Sequence, residues 1–214
     1  MWKSWRAVTS IGLPAAAANM INPAGMAVIT AMLAKYGDQA VAAFGLAGRI
    51  ETICLVGLFA LSATIGPIVG QNFGAGFTER VRLALKRAFQ GCIAWGLAAA
   101  VVLAVLAPWV LPFFSEEPQV VRLARLYLWI VPVTYFGYGI NITAAAALNS
   151  IGKPLAATTL TAVRMLLVFI PLALMLGQSN GVTGIFIAAA IANLVAAIIS
   201  WWATRKMQAS AALN

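Results

Sequence analysis

The sequence predicts an all-α membrane protein: a bundle of six transmembrane helices forming one domain over residues 1–214. Three observations predict it. Of the 214 residues, 63% are hydrophobic and 9% charged, with a mean hydropathy of +0.94, whereas soluble domains carry about 25% charged residues. The apolar residues gather into runs close to the ~20 residues a helix needs to cross hydrocarbon. The runs lack the period-two alternation of barrel strands, and the basic residues lie in short clusters between them.

The spans are expected near residues 11–33, 44–69, 89–114, 126–148, 155–176 and 182–203. The first holds Pro14 and Pro23, with Asn19 and Asn22 between them. Met1–Arg6 resembles the start of a signal peptide, but the apolar stretch runs on past Ala15–Ala18, so it reads as a retained first span. The second carries Arg49 and Glu51 inside it and Pro67 near its end. The third ends at Pro108 and Pro112, the fourth has Pro132 in its first half, and the GQSNG turn at Gly177–Gly181 separates the fifth from the sixth. Short loops require neighbouring spans to pack as antiparallel pairs. Small residues such as Gly66 and Gly70, or Ala144–Ala147, let helix backbones approach where lipid provides no hydrophobic drive.

Charge sets the orientation. Lys3, Arg6, Arg80, Arg82, Lys86, Arg87, Lys153, Arg205 and Lys206 fall on one side; Lys35, Arg122 and Arg125 fall on the other with Asp38, Glu116 and Glu117. The positive-inside rule places both termini in the cytoplasm, as a multi-pass protein of the cytoplasmic (inner) membrane. Trp109, Trp129, Trp201 and Trp202 lie near span ends, where amphipathic rings favour the interface. The net charge of +9 is therefore topological, and no nucleic-acid partner is expected. With no histidine, two isolated cysteines and five acids, metal sites, disulfide frameworks and acid–base enzymes are excluded or strained. No phosphate-loop motif exists, so no ATPase activity is expected and the chain reads as no enzyme and without a cofactor.

An ionisable residue inside a span is a functional-site candidate by default. Glu51 lies ten residues beyond Val41, roughly 15 Å along its helix, and Arg164 nine beyond Leu155, roughly 14 Å along an opposed one. Both land near the midplane of a core about 30 Å thick. Arg49, two positions from Glu51, points to another face. One reading makes Glu51 the group that senses cation, proton or substrate, with Arg164 its partner across the bundle. The other makes Glu51, Arg49 and Arg164 a structural ion pair or caps for polar backbone. Asn22, Tyr138 and Asn141 lie in proline-interrupted spans of the kind that line transporter binding sites. An interhelical hydrogen bond is the alternative for Asn141.

Several stretches resemble a known family. AAFGLAGRIETI (Ala42–Ile53) followed by IVGQNFGAG (Ile68–Gly76) looks like the eighth helix of multidrug and toxic compound extrusion (MATE) transporters. FFSEEPQVVRLARLYLWIVP (Phe113–Pro132) and ALNSIGKP (Ala147–Pro154) continue the likeness over nearly the whole chain. The resemblance implies the C-terminal six-helix lobe of a transporter that extrudes organic cations and drugs against sodium or protons, a role tied to multidrug efflux. It also implies a missing N-terminal lobe, or a second copy, as partner beside membrane lipid. Where some members carry acids in the spans matching the first and fourth here, this chain has Asn19, Asn22 and Asn141, so only Glu51 remains for coupling. A truncated, non-transporting membrane protein and a relative of lipid-linked oligosaccharide flippases are the alternatives.

Overall fold

The computed structural model describes residues 20–211, with side chains to residue 206. Pro14, Asn19 and the first half of the first span lie outside the described residues. The elements, in chain order, are α1 (Met20–Ala34), α2 (Asp38–Gly74), α3 (Thr78–Val110), α4 (Pro118–Ile130), α5 (Tyr135–Ser150), α6 (Pro154–Ala162), a π-helical turn (Val163–Phe169) and α7 (Ile170–Ala211). No strand occurs among the described residues.

Four continuous helical stretches are long and apolar enough to cross a membrane: Asp38–Gly74, Thr78–Phe113, Pro118–Ser150 and Pro154–Lys206. With Met20–Ala34 they make five described stretches rather than the expected six, because helix persists from α6 into α7 where two spans were expected. Gly181 interrupts that persistence with φ 59° and ψ −141°, a conformation essentially confined to glycine. The chain folds back there. A Cβ added to Gly184 would collide with the Leu176 carbonyl oxygen, and one on Gly177 would lie 3.3 Å from Ile185 Cγ1. In an uninterrupted helix, residues eight apart are about 12 Å distant.

The helices outrun the apolar runs that predicted them. The helix α3 begins at Thr78, well before Phe89, and its first turns carry exposed Arg80, Arg82, Lys86 and Arg87. Helical hydrogen bonds are internal to the segment, so the helix has no reason to stop where the lipid does. Proline acts locally. Pro67 is carried inside α2, whereas Pro132 divides the fourth span into α4 and α5 through a 3-10 turn at Pro132–Thr134. The Thr134 hydroxyl donates to the Val131 carbonyl at 2.8 Å and supports that turn.

The helix α5 is the centre of the bundle, packed against α2, α3, α6 and α7. Its buried residues include Gly137, Gly139, Thr143, Ala144 and Ala147, which keep neighbouring backbones close. At Gly137 a Cβ would overlap the Asn193 carbonyl of α7. At one end of the bundle the Tyr36 hydroxyl donates to the Gly177 carbonyl at 2.7 Å, and Gln39 Nε2 donates to Glu117 Oε1 at 2.8 Å. The α2–α3 and α5–α6 corners lie at the other end.

Candidate functional site

The inner face of α2 carries Phe44, Gly48, Glu51, Leu55 and Phe59, a helical spacing that aims all five the same way. They border a cavity of about 260 Å³ that is also lined by Asn22 of α1, Tyr127 of α4, Tyr138 of α5, Arg164 of the π-helical turn and Asn193 of α7. Depth along two opposed helices thus brings Glu51 and Arg164 to one chamber.

They do not form an ion pair. Among the described residues the one salt bridge is Arg82–Glu79, 2.8 Å, on the surface. Glu51 Oε2 instead accepts a 2.6 Å hydrogen bond from the Tyr127 hydroxyl. The Tyr127 ring is fixed edge-on between Phe44 and Phe186, at centroid distances of 5.8 and 5.0 Å. The Tyr135 hydroxyl is buried and has no hydrogen-bond partner among the described residues.

Arg164 is held by neutral dipoles. Its Nη2 donates to Asn22 Oδ1 at 3.0 Å, its Nη1 to Asn193 Oδ1 at 3.4 Å, and its guanidinium lies 4.9 Å from the Tyr138 ring centroid. Asn193 Nδ2 in turn donates to Thr134 Oγ1 at 3.2 Å, which ties the arginine to the Pro132 turn. The Arg164 Nε is buried without a partner. Seven residues of π-helix carry this arginine, and such turns recur at functional sites because they re-aim a side chain.

Glu51, Arg164, Asn22 and Tyr138, expected at a site from sequence, are therefore brought together. Arg49 and Asn141 are not. Arg49 is exposed on another face of α2, one position off the stripe that lines the cavity. Asn141, 1% exposed, is buried between α5 and α7, where its Nδ2 donates to Ser200 Oγ at 3.0 Å. Its place is a helix–helix contact, because its side chain faces α7 and not α2. Sequence reasoning missed Tyr127, Tyr135 and Asn193. The signal was present: three of only four tyrosines flank Pro132, and Asn193 interrupts the apolar run Ile185–Ile199. Among the described residues no cluster of histidine, cysteine, aspartate or glutamate could hold a metal ion.

The arrangement offers a carboxylate and a guanidinium, separately solvated by protein dipoles, to the same small volume. It can receive a cation at Glu51 and an anionic or carbonyl oxygen at Arg164. At about 260 Å³ it falls below the ~300–1,000 Å³ typical of complete small-molecule pockets.

Comparison with known proteins places the chain. A family model, MatE, matches residues 14–175. The chain is 34% identical over 207 residues to a FAD transporter of Shewanella oneidensis, covering 97% of this chain and 46% of that protein. It is 25% identical over 193 residues to the multidrug export protein MepA of Staphylococcus haemolyticus, covering 90% of this chain and 42% of the relative. The crystal structure of the Vibrio cholerae MATE transporter VcmN in the bent form superposes with a TM-score of 0.91 at 29% identity, over 100% of this chain and 49% of that one. The chain thus spans about half the length of the relatives it matches. It belongs to the MatE family of membrane transporters.

Proposed function

We propose that the chain forms one six-span lobe of a MATE-type secondary antiporter in the cytoplasmic membrane. The spans are α1, α2, α3, α4 with α5, α6 with α7 as far as Gly181, and the remainder of α7. Both termini face the cytoplasm, following the distribution of basic residues. Alternating access rocks this lobe against a second one, the missing N-terminal lobe or another copy, with substrate between them. One observation carries the reading: Glu51 and Arg164 line a single cavity without forming a direct ion pair. A charge kept at membrane depth without a direct ion pair is costly, and is retained where something must be bound. The chamber's small volume supports a half-site completed by the opposite lobe.

Glu51 is the coupling group, exchanging sodium or a proton for substrate, and organic cations or drugs are the exported class. A second reading of the substrate is favoured by Arg164: a guanidinium with an unsatisfied Nε suits an anionic group. The Shewanella relative is named for a phosphate-bearing flavin. Efflux of ethidium and of flavin from cells carrying Glu51→Gln or Arg164→Gln at the native locus tests both. Loss of ethidium efflux in Glu51→Gln supports cation export, and loss of flavin efflux in Arg164→Gln supports the second reading. Full efflux of both compounds by a well-expressed Glu51→Gln protein overturns the coupling role.

A further inference from the structure

A second concave surface lies at the opposite end of the bundle from Tyr36, apart from the Glu51 chamber. The first turns of α3 and the last described turns of α7 diverge over α5 and leave a groove of about 670 Å³, floored by Ile140. Its walls are two facing helical stripes. Arg82, Lys86 and Ile93 descend along α3, while Arg205, Trp201 and Ile198 descend along α7. Each stripe changes in the same order, from cationic at the mouth to apolar below. The eleven helical steps from Arg82 to Ile93 span roughly 16 Å, and the seven from Arg205 to Ile198 roughly 10 Å.

Charge at the mouth is one-sided. Among the described residues no acidic side chain lines the groove, and the neighbouring Glu79 is engaged with Arg82 through 2.8 and 3.0 Å hydrogen bonds. That leaves Lys86 and Arg205 as the net charge. The Arg205 guanidinium is stacked 3.9 Å from the Trp201 ring centroid, which orients it without neutralising it. Below, Ile93 and Trp201 are 42% exposed and Ile198 is 62% exposed. A free anion would satisfy the mouth and leave that apolar wall uncovered. A zwitterionic lipid would cover the wall and bring its own cation to three basic side chains. A ligand with an anionic head and an acyl chain satisfies both tiers, and basic recesses between helices on the cytoplasmic side are where such head groups bind.

We propose that this groove is a binding site for an anionic phospholipid, with the phosphodiester between Lys86 and Arg205 and an acyl chain along Trp201, Ile198 and Ile93. Purified full-length chain in detergent, titrated with phosphatidylglycerol and phosphatidylcholine of matched acyl chains, tests this by native mass spectrometry. Two uncompensated cations predict phosphatidylglycerol binding about thirtyfold tighter than phosphatidylcholine, or about 2 kcal/mol. The preference should fall to about fivefold in Arg205→Gln and vanish in Lys86→Gln/Arg205→Gln. Lys153→Gln, a basic residue outside the groove, should retain it. Equal binding of the two lipids by the unmodified chain overturns the proposal, with no variant needed. Survival of the preference in the double variant also overturns it, as does displacement of phosphatidylglycerol by millimolar inorganic phosphate, which would make the groove an anion site only.

Discussion

Tyr127 is the most informative position in the chamber, because its ring and its hydroxyl do separable things. Tyr127→Phe keeps the ring, which Phe44 and Phe186 hold from two sides at 5.8 and 5.0 Å, and deletes the 2.6 Å bond to Glu51. Tyr127 is 4% exposed, so water does not readily replace the lost donor. A hydrogen bond to a charged group is worth about 1.5–3 kcal/mol, and leaving the carboxylate unsatisfied adds to the cost of removing only one partner. We expect Tyr127→Phe to destabilise the chain by about 2 kcal/mol. Glu51→Met, of similar volume and lacking a comparable acceptor, removes the other partner. The double variant should lose less than the two single losses combined, with a coupling of about 1.5 kcal/mol or more. Reversible unfolding by SDS in mixed micelles, followed by helical circular dichroism, measures all four corners of the cycle. Additivity within about 0.5 kcal/mol would refute the bond and, with it, the picture of Glu51 as held by a neutral donor.

Two further outcomes test the frame around that site. Gly181→Ala places a side chain at φ 59°, ψ −141°, so the same unfolding assay should show a loss of about 1–3 kcal/mol; Gly74→Ala, at the end of α2 with open space around it, should stay within about 0.5 kcal/mol. Asn141 and Asn193 are both buried amides, yet only Asn193 reaches the chamber. Asn141→Leu should cost about 1 kcal/mol or less and leave efflux intact, whereas Asn193→Leu should impair efflux by freeing Arg164 from one of its two amide partners.

The sequence revealed depth better than direction. Counting residues from each span's entry put Glu51 and Arg164 at one level because helical rise is nearly constant, and the chamber contains both. Rotation about the helix axis is less accessible in lipid, where all faces of a span are apolar and periodicity carries little signal. Hence Asn141, a polar residue in a proline-interrupted span, reads equally as cavity lining or as an interhelical hydrogen bond, and the structure gives the second, to Ser200 inside the α5–α7 contact. Arg49 and Glu51 could be assigned to different faces because their spacing alone decides it. Tyr127 and Tyr135 escaped notice because an aromatic ring in an apolar run reads as packing, and only the Pro132 turn shows where their hydroxyls go. The GQSNG turn was legible, since glycine and short polar residues punctuate an otherwise unbroken apolar tract; the continuous helix on both sides of it was not.

The π-helical turn at Val163–Phe169 has a consequence for comparing sequences. Such a turn accommodates one residue more than the α-helix around it, so the flanking segments keep their facing while the inserted stretch is re-aimed. A relative one residue shorter between the positions of Ala162 and Ile170 would retain the same bundle but turn its counterpart of Arg164 away by about a quarter of a revolution. In an alignment of this family, a single-residue gap within that apolar stretch would mark a change in the charge lining the chamber, though it would look like an unremarkable slip in a hydrophobic helix.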